Sequence, residues 1–80
     1  MKWVNIKTSL PTAIPEWYWN THDCSGASSV LVFGYDAVNF TLRYEVMFIN
    51  DVAESKPDPD GRYIIDGLIV THWLKLERPQ

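Results

Sequence analysis

Between Phe40 and Phe48 every second residue is large and apolar: Phe40, Leu42, Tyr44, Val46 and Phe48, with Thr41, Arg43, Glu45 and Met47 between them. A strand sends successive side chains to opposite faces, whereas a helix would scatter these five around its circumference. The spacing therefore predicts a half-buried antiparallel strand over residues 40–48, its apolar row against the core and its polar row outward.

Three further stretches read the same way. Residues 28–35, Ser-Ser-Val-Leu-Val-Phe-Gly-Tyr, are β-branched and aromatic and too short for a helix. There Leu31, Phe33 and Tyr35 share one face and Val30 and Val32 the other, and Gly34 marks a bulge or a close backbone approach. Asp36-Ala37-Val38-Asn39 joins this strand to the next with turn-forming residues. The long apolar run Leu68 to Leu76 predicts a closing strand, with Val70, His72, Leu74 and Leu76 on one face and Ile69, Thr71, Trp73 and Lys75 on the other. Residues 62–65 form a shorter strand ahead of it, and Asp66-Gly67 between them reads as a two-residue hairpin turn in preference to a bulge inside one longer strand.

The remaining segments are one short alternating stretch and the connections. Trp3 to Lys7 alternates briefly, after which Pro11 and Pro15 hold Leu10 and Ile14 extended, so residues 8–16 predict an arm. Residues 16–27 have no period and read as a loop, long for a compact domain and so a place where function concentrates. Residues 50–62 are acidic and carry Pro57 and Pro59, which cannot donate to a ladder; a mobile loop is expected. The expectation for residues 1–80 is one small domain, all-β or β-dominated α+β. It is an antiparallel meander of four to five strands curled around the aromatics, with the first segment at an edge.

Size sharpens this. Eighty residues bury only about 60% of their unfolded surface, so a few large side chains must supply most of the stability. A single cysteine, Cys24, excludes an internal disulfide, leaving four Trp, four Tyr and three Phe as the available apolar mass. Dimerisation is the other route open to so small a chain. The net charge of -3 disfavours direct nucleic-acid binding, which draws its affinity from neutralised phosphates. No signal peptide and no membrane-spanning run is visible, and with the free thiol this points to the cytoplasm.

Three blocks carry a family resemblance: Trp3-Val4-Asn5-Ile6 followed by Leu10-Pro11, then Val30-Leu31-Val32, then Val70-Thr71-His72-Trp73-Leu74 ahead of Leu76. Together they resemble a phage- and prophage-borne family known as domain of unknown function 551. Its closing signature has prolines where Lys75 and Glu77 stand here, and its connection before the Val-Leu-Val strand is shorter. The resemblance implies a small, mainly β domain of mobile genetic elements, and brings no activity, cofactor or catalytic residue.

Candidate chemistry is sparse. His72 and Trp73 are strand neighbours and point to opposite faces, so they cannot share one binding wall, and His72 is expected as a hydrogen-bonded core or rim residue. His22-Asp23-Cys24 sets a thiol beside a base in sequence, but nucleophile and base must meet through space, and no second ligand pair completes a zinc site. Asp58-Pro59-Asp60-Gly61 fails as a calcium loop, because Lys56 would stand at the first ligand position. No phosphate-cradling glycine loop and no supported triad is present. An enzyme is therefore not expected, nor a metal or cofactor. The binding candidates are Trp17, Tyr18 and Trp19, as stacking or anchoring rings, with Arg43 as a cation; capping the sheet, and pairing with Glu45, are the structural alternatives. The leading expectation is a phage or prophage accessory protein that binds a host protein, in its most concrete form a host-directed or counter-defence inhibitor. A small-ligand or nucleotide module using Trp17, Trp19 and Arg43 is the alternative, and a thiol hydrolase using Cys24 a more distant one.

Overall fold

A computed structural model describes residues 2–15 and 29–76. They form one antiparallel five-stranded sheet with a single short helix, the small β-dominated fold expected. The strands are β1 (Val4–Asn5), β2 (Ser29–Asp36), β3 (Leu42–Phe48), β4 (Tyr63–Ile65) and β5 (Leu68–Lys75). The helix α1 (Ile49–Ala53) follows β3 directly. The order is β1-β5-β2-β3, with β4 also pairing to β5, so β1 lies at an edge and β3 forms the whole of the opposite one.

The two tight connections form as their residues require. Asp66 and Gly67 take φ of 49° and 77°, the left-handed pair of a type I′ turn, and Ile65 sits opposite Leu68. At the β2–β3 connection the Asp36 carboxylate accepts from the Val38 and Asn39 amides at 2.8 and 3.1 Å. Phe40 there has φ of 60°, so β3 starts two residues later than the apolar period suggests.

The main core cluster lies on one side of the sheet, and on the other side Ile69 is buried opposite Tyr35 and Ile64. Val30, Val32, Met47, Leu68, Val70 and Ile65 point to the core side, where Ile6, Ile49 and Val52 cover them. Full burial of side chains this size is worth about 1.5–3 kcal/mol each. The extended arm of residues 8–15 lies over the same side. Asn50 of α1 clamps it, accepting from the Ile14 amide at 2.8 Å and donating to the Ile14 carbonyl at 3.0 Å. The Trp73 indole donates to the Ser9 carbonyl at 2.8 Å. Residues 50–62 were expected to be loop throughout; their first turns are instead α1, because Ile49 and Val52 fall on one helical face and both are buried.

Two expectations about faces are overturned. The apolar row of β3 is exposed: Leu42, Tyr44 and Val46 keep 70%, 67% and 59% of their surface. Cross-strand partners share a face, and β3 pairs Val30 with Met47 and Val32 with Glu45, so the core side of β3 is the row containing Arg43 and Glu45. The second correction concerns β5. A register shift between Phe33 and Gly34 leaves Thr71 as the extra residue on β5, and the alternation breaks there. Val70 therefore faces the core, while His72 and Leu74 face the open side with Phe33 and Leu31.

Candidate functional site

The open face of the sheet holds Trp3, Leu31, Phe33, Tyr35, Leu42, Tyr44, Val46, His72 and Leu74, placed together by the registers of β2, β3 and β5. Trp3 precedes β1 and lies across the sheet. Its ring centroid stands 6.3 Å from that of Phe33 and 6.1 Å from that of Tyr44, and Phe33 and Tyr44 are 4.9 Å apart. The interplanar angles of 42° to 61° are tilted or edge-on, the arrangement that ring quadrupoles favour.

These three rings and His72 line a shallow cleft of about 240 Å³. The Thr71 hydroxyl donates to the Phe33 carbonyl at 3.1 Å, so its oxygen serves as acceptor toward His72 Nδ1 at 2.9 Å. That assigns the proton of the neutral ring to Nδ1 and leaves Nε2 as an acceptor. The cleft is thus three aromatic walls beside one polar atom. It suits an apolar or cationic side chain, which gains contact area and the negative ring faces without needing a charged partner.

A second cleft of about 330 Å³ occupies the notch between β1 and β4 along β5, where Thr71 bulges. Asn5, Lys7, Tyr35, Arg62, Tyr63 and His72 are among its lining residues. Arg62 is already engaged, donating from Nε to Asp58 at 3.0 Å and from Nη2 to Asp60 at 3.2 Å. Asp58 also accepts from the amides of Asp60 and Arg62, which closes residues 58–62 into a turn. The Arg62 amide bond first, and the Arg62 charge with it, hold the Asp58 carboxyl below its ordinary value.

Of the residues singled out in the sequence, Trp17, Tyr18, Trp19, His22, Asp23 and Cys24 lie outside the described residues. Arg43 projects on the opposite side of β3 from the aromatic row, where it donates to Asp36 at 2.9 Å and to Glu45 at 3.0 Å. Backbone amides of Val38 and Asn39, and then Arg43, hold the Asp36 carboxyl below its ordinary value. His72 is hydrogen-bonded on the rim, and Trp73 faces the other side of the sheet, so the two share no wall. The residues that sequence reasoning missed are Trp3, Phe33 and Tyr44. Each was visible as an aromatic of a period-two segment, but nothing in one sequence says which of two faces is left uncovered. Among the described residues, no group of three potential metal ligands comes together, and no helix is long and apolar enough to cross a membrane.

No family model, curated protein or solved structure matches the chain.

Proposed function

We propose that the protein works by binding another protein on the open face of its sheet, with the Trp3–Phe33–Tyr44 cleft as the anchor point. The observation that carries this reading is the exposed apolar row. Trp3, Phe40, Leu42, Tyr44 and Val46 retain 40%, 63%, 70%, 67% and 59% of their surface. Together they present on the order of 600 Å², at the upper end of the largest patch on a typical monomer. Aromatic residues in a preformed cleft, ringed by aliphatic ones, are the usual make-up of an interface hot spot. The phage setting implied by the resemblance to domain of unknown function 551 gives the reading its concrete form, an inhibitor that occludes a larger host protein. The negative net charge would steer such a protein toward a basic surface.

The test is capture from host lysate with the wild-type protein and with Tyr44→Ala. Tyr44 is two-thirds exposed, so the variant should keep its fold, with a melting temperature lowered by the loss of its ring contacts with Phe33 and Trp3. A stoichiometric partner that binds the wild type and is weakened at least about tenfold by Tyr44→Ala supports the reading, as expected for a hot-spot truncation. A partner indifferent to Tyr44→Ala, or no partner, defeats it. On the sequence the small-ligand alternative uses Trp17, Trp19 and Arg43; a different cleft, the notch beside Lys7 and Tyr63, offers it a place among the described residues. A rise in melting temperature with a nucleotide or other small anion, abolished by Lys7→Ala, would favour it instead.

A further inference from the structure

The two edges of the sheet are built differently. Along β5 the outer edge is covered by two short strands, β1 and β4. At the other side β3 has no strand beyond it among the described residues. Of the devices that usually block strand addition it carries one, the charges of Arg43 and Glu45 on its core side, which pair with each other at 3.0 Å. It has no proline and no lysine, and its pairing with β2 runs without a bulge from Ser29–Phe48 to Tyr35–Leu42.

The hydrogen-bonding groups on that edge can be assigned. The Asp36 amide donates to the Thr41 carbonyl, so that carbonyl faces β2. Alternation then turns the amides and carbonyls of Arg43, Glu45 and Met47 toward β2, and those of Leu42, Tyr44 and Val46 toward the open edge. The geometry points to this edge as a homodimer interface, in which β3 of one copy pairs antiparallel with β3 of a second about a two-fold axis at Tyr44.

That register is singled out by its side chains. With Tyr44 opposite Tyr44 of the other copy, Leu42 stands opposite Val46 and Arg43 opposite Glu45, twice over by symmetry. All three outward-facing residues meet in the hydrogen-bonded positions, and the opposite charges fall in the intervening pairs, where side chains approach most closely. Shifting the axis by one residue sets Arg43 against Arg43 or Glu45 against Glu45, and like charges directly opposite are unfavourable. Among the axes at residues 43, 44 and 45, only the one at Tyr44 pairs opposite charges. The inference goes beyond the proposed docking function, because it uses the backbone edge and leaves the aromatic face open. Pairing would join the two open faces into one, with the Tyr44 side chains adjacent at its centre and an aromatic cleft on each flank.

The experiment is sedimentation of the purified full chain over a range of concentrations, with no partner added. The wild type should pass from monomer to dimer. Val46→Pro removes an edge amide that β2 does not use, so it should remain folded by circular dichroism and stay monomeric at every concentration. Arg43→Glu should weaken dimerisation at least tenfold by opposing acids across the axis, and the double variant Arg43→Glu/Glu45→Arg should restore it. The double variant keeps the test decisive should the proline unfold the chain. A wild type that is monomeric throughout overturns the proposal, as does a dimer unaffected by Val46→Pro or a double variant as weak as the single one. Because no other protein is present, this result stands or falls separately from the capture experiment.

Discussion

Gly34 occupies the position where β2 changes register against β5, and it has no room for a side chain. A Cβ there would overlap the Ile69 carbonyl oxygen, which belongs to backbone and cannot swing away. Gly34→Ala must therefore displace β5 beside the bulge, and a loss of about 3 kcal/mol in urea-derived stability is expected. Phe40 is the contrasting case. Its φ of 60° costs a bulky residue about 1–2 kcal/mol. Its ring lies 6.0 Å from that of Tyr35, a contact worth about 0.5–1.5 kcal/mol. Phe40→Gly removes both, so its stability should stay within about 1 kcal/mol of the wild type by the same measurement. A side chain that costs the fold about as much as it returns is free to be kept for its surface.

At the scale of elements, each strand was legible in outline, and the reasons differ. β2 and β5 announce themselves by β-branched and aromatic runs, and the Asp66-Gly67 turn by chemistry that only a few residues satisfy. The period of β3 identified a strand but not its inner face. Period two says that the two faces differ, while the side that becomes core depends on where the arm and α1 pack. Helix α1 was hidden because five residues carry little periodic signal, and its stability comes from burying Ile49 and Val52 rather than from propensity. The face change on β5 was hidden too, since Thr71 looks like any strand residue and only the opposing Gly34 hinted at the bulge. The candidate site inherits both uncertainties: His72 and Tyr44 meet only because a bulge and an uncovered face bring them to the same side. Asn50 offers a test at this scale. Replacing it with Ala breaks two half-buried hydrogen bonds to Ile14. The expected cost is about 2 kcal/mol in stability, with faster amide exchange confined to the arm.

Over the whole molecule, the net charge is negative and two carboxylates, Asp36 and Asp58, are held below the ordinary value of 3.8 by hydrogen bonds made only in the fold. A carboxyl with a lowered folded pKa contributes stability that is fully present above its unfolded value and is lost as pH falls through the folded one. Stability should thus hold from neutral pH down to about 4 and decline below it. In Asp36→Asn/Asp58→Asn that decline should be shallower, as read from urea midpoints across the acid range.

A main core cluster on one side of the sheet divides the residues of β2, β3 and β5 into two populations that answer to different demands. Val30, Val32, Leu68 and Val70 carry the folding free energy, and changes there will register in any measure of yield or melting. Leu42, Tyr44 and Val46 carry little of it. A saturation scan scored for abundance should therefore pass over β3's outer row, while the same library scored for association should be sharply restricted there. Sequence drift on that row can reshape the exposed surface without endangering folding.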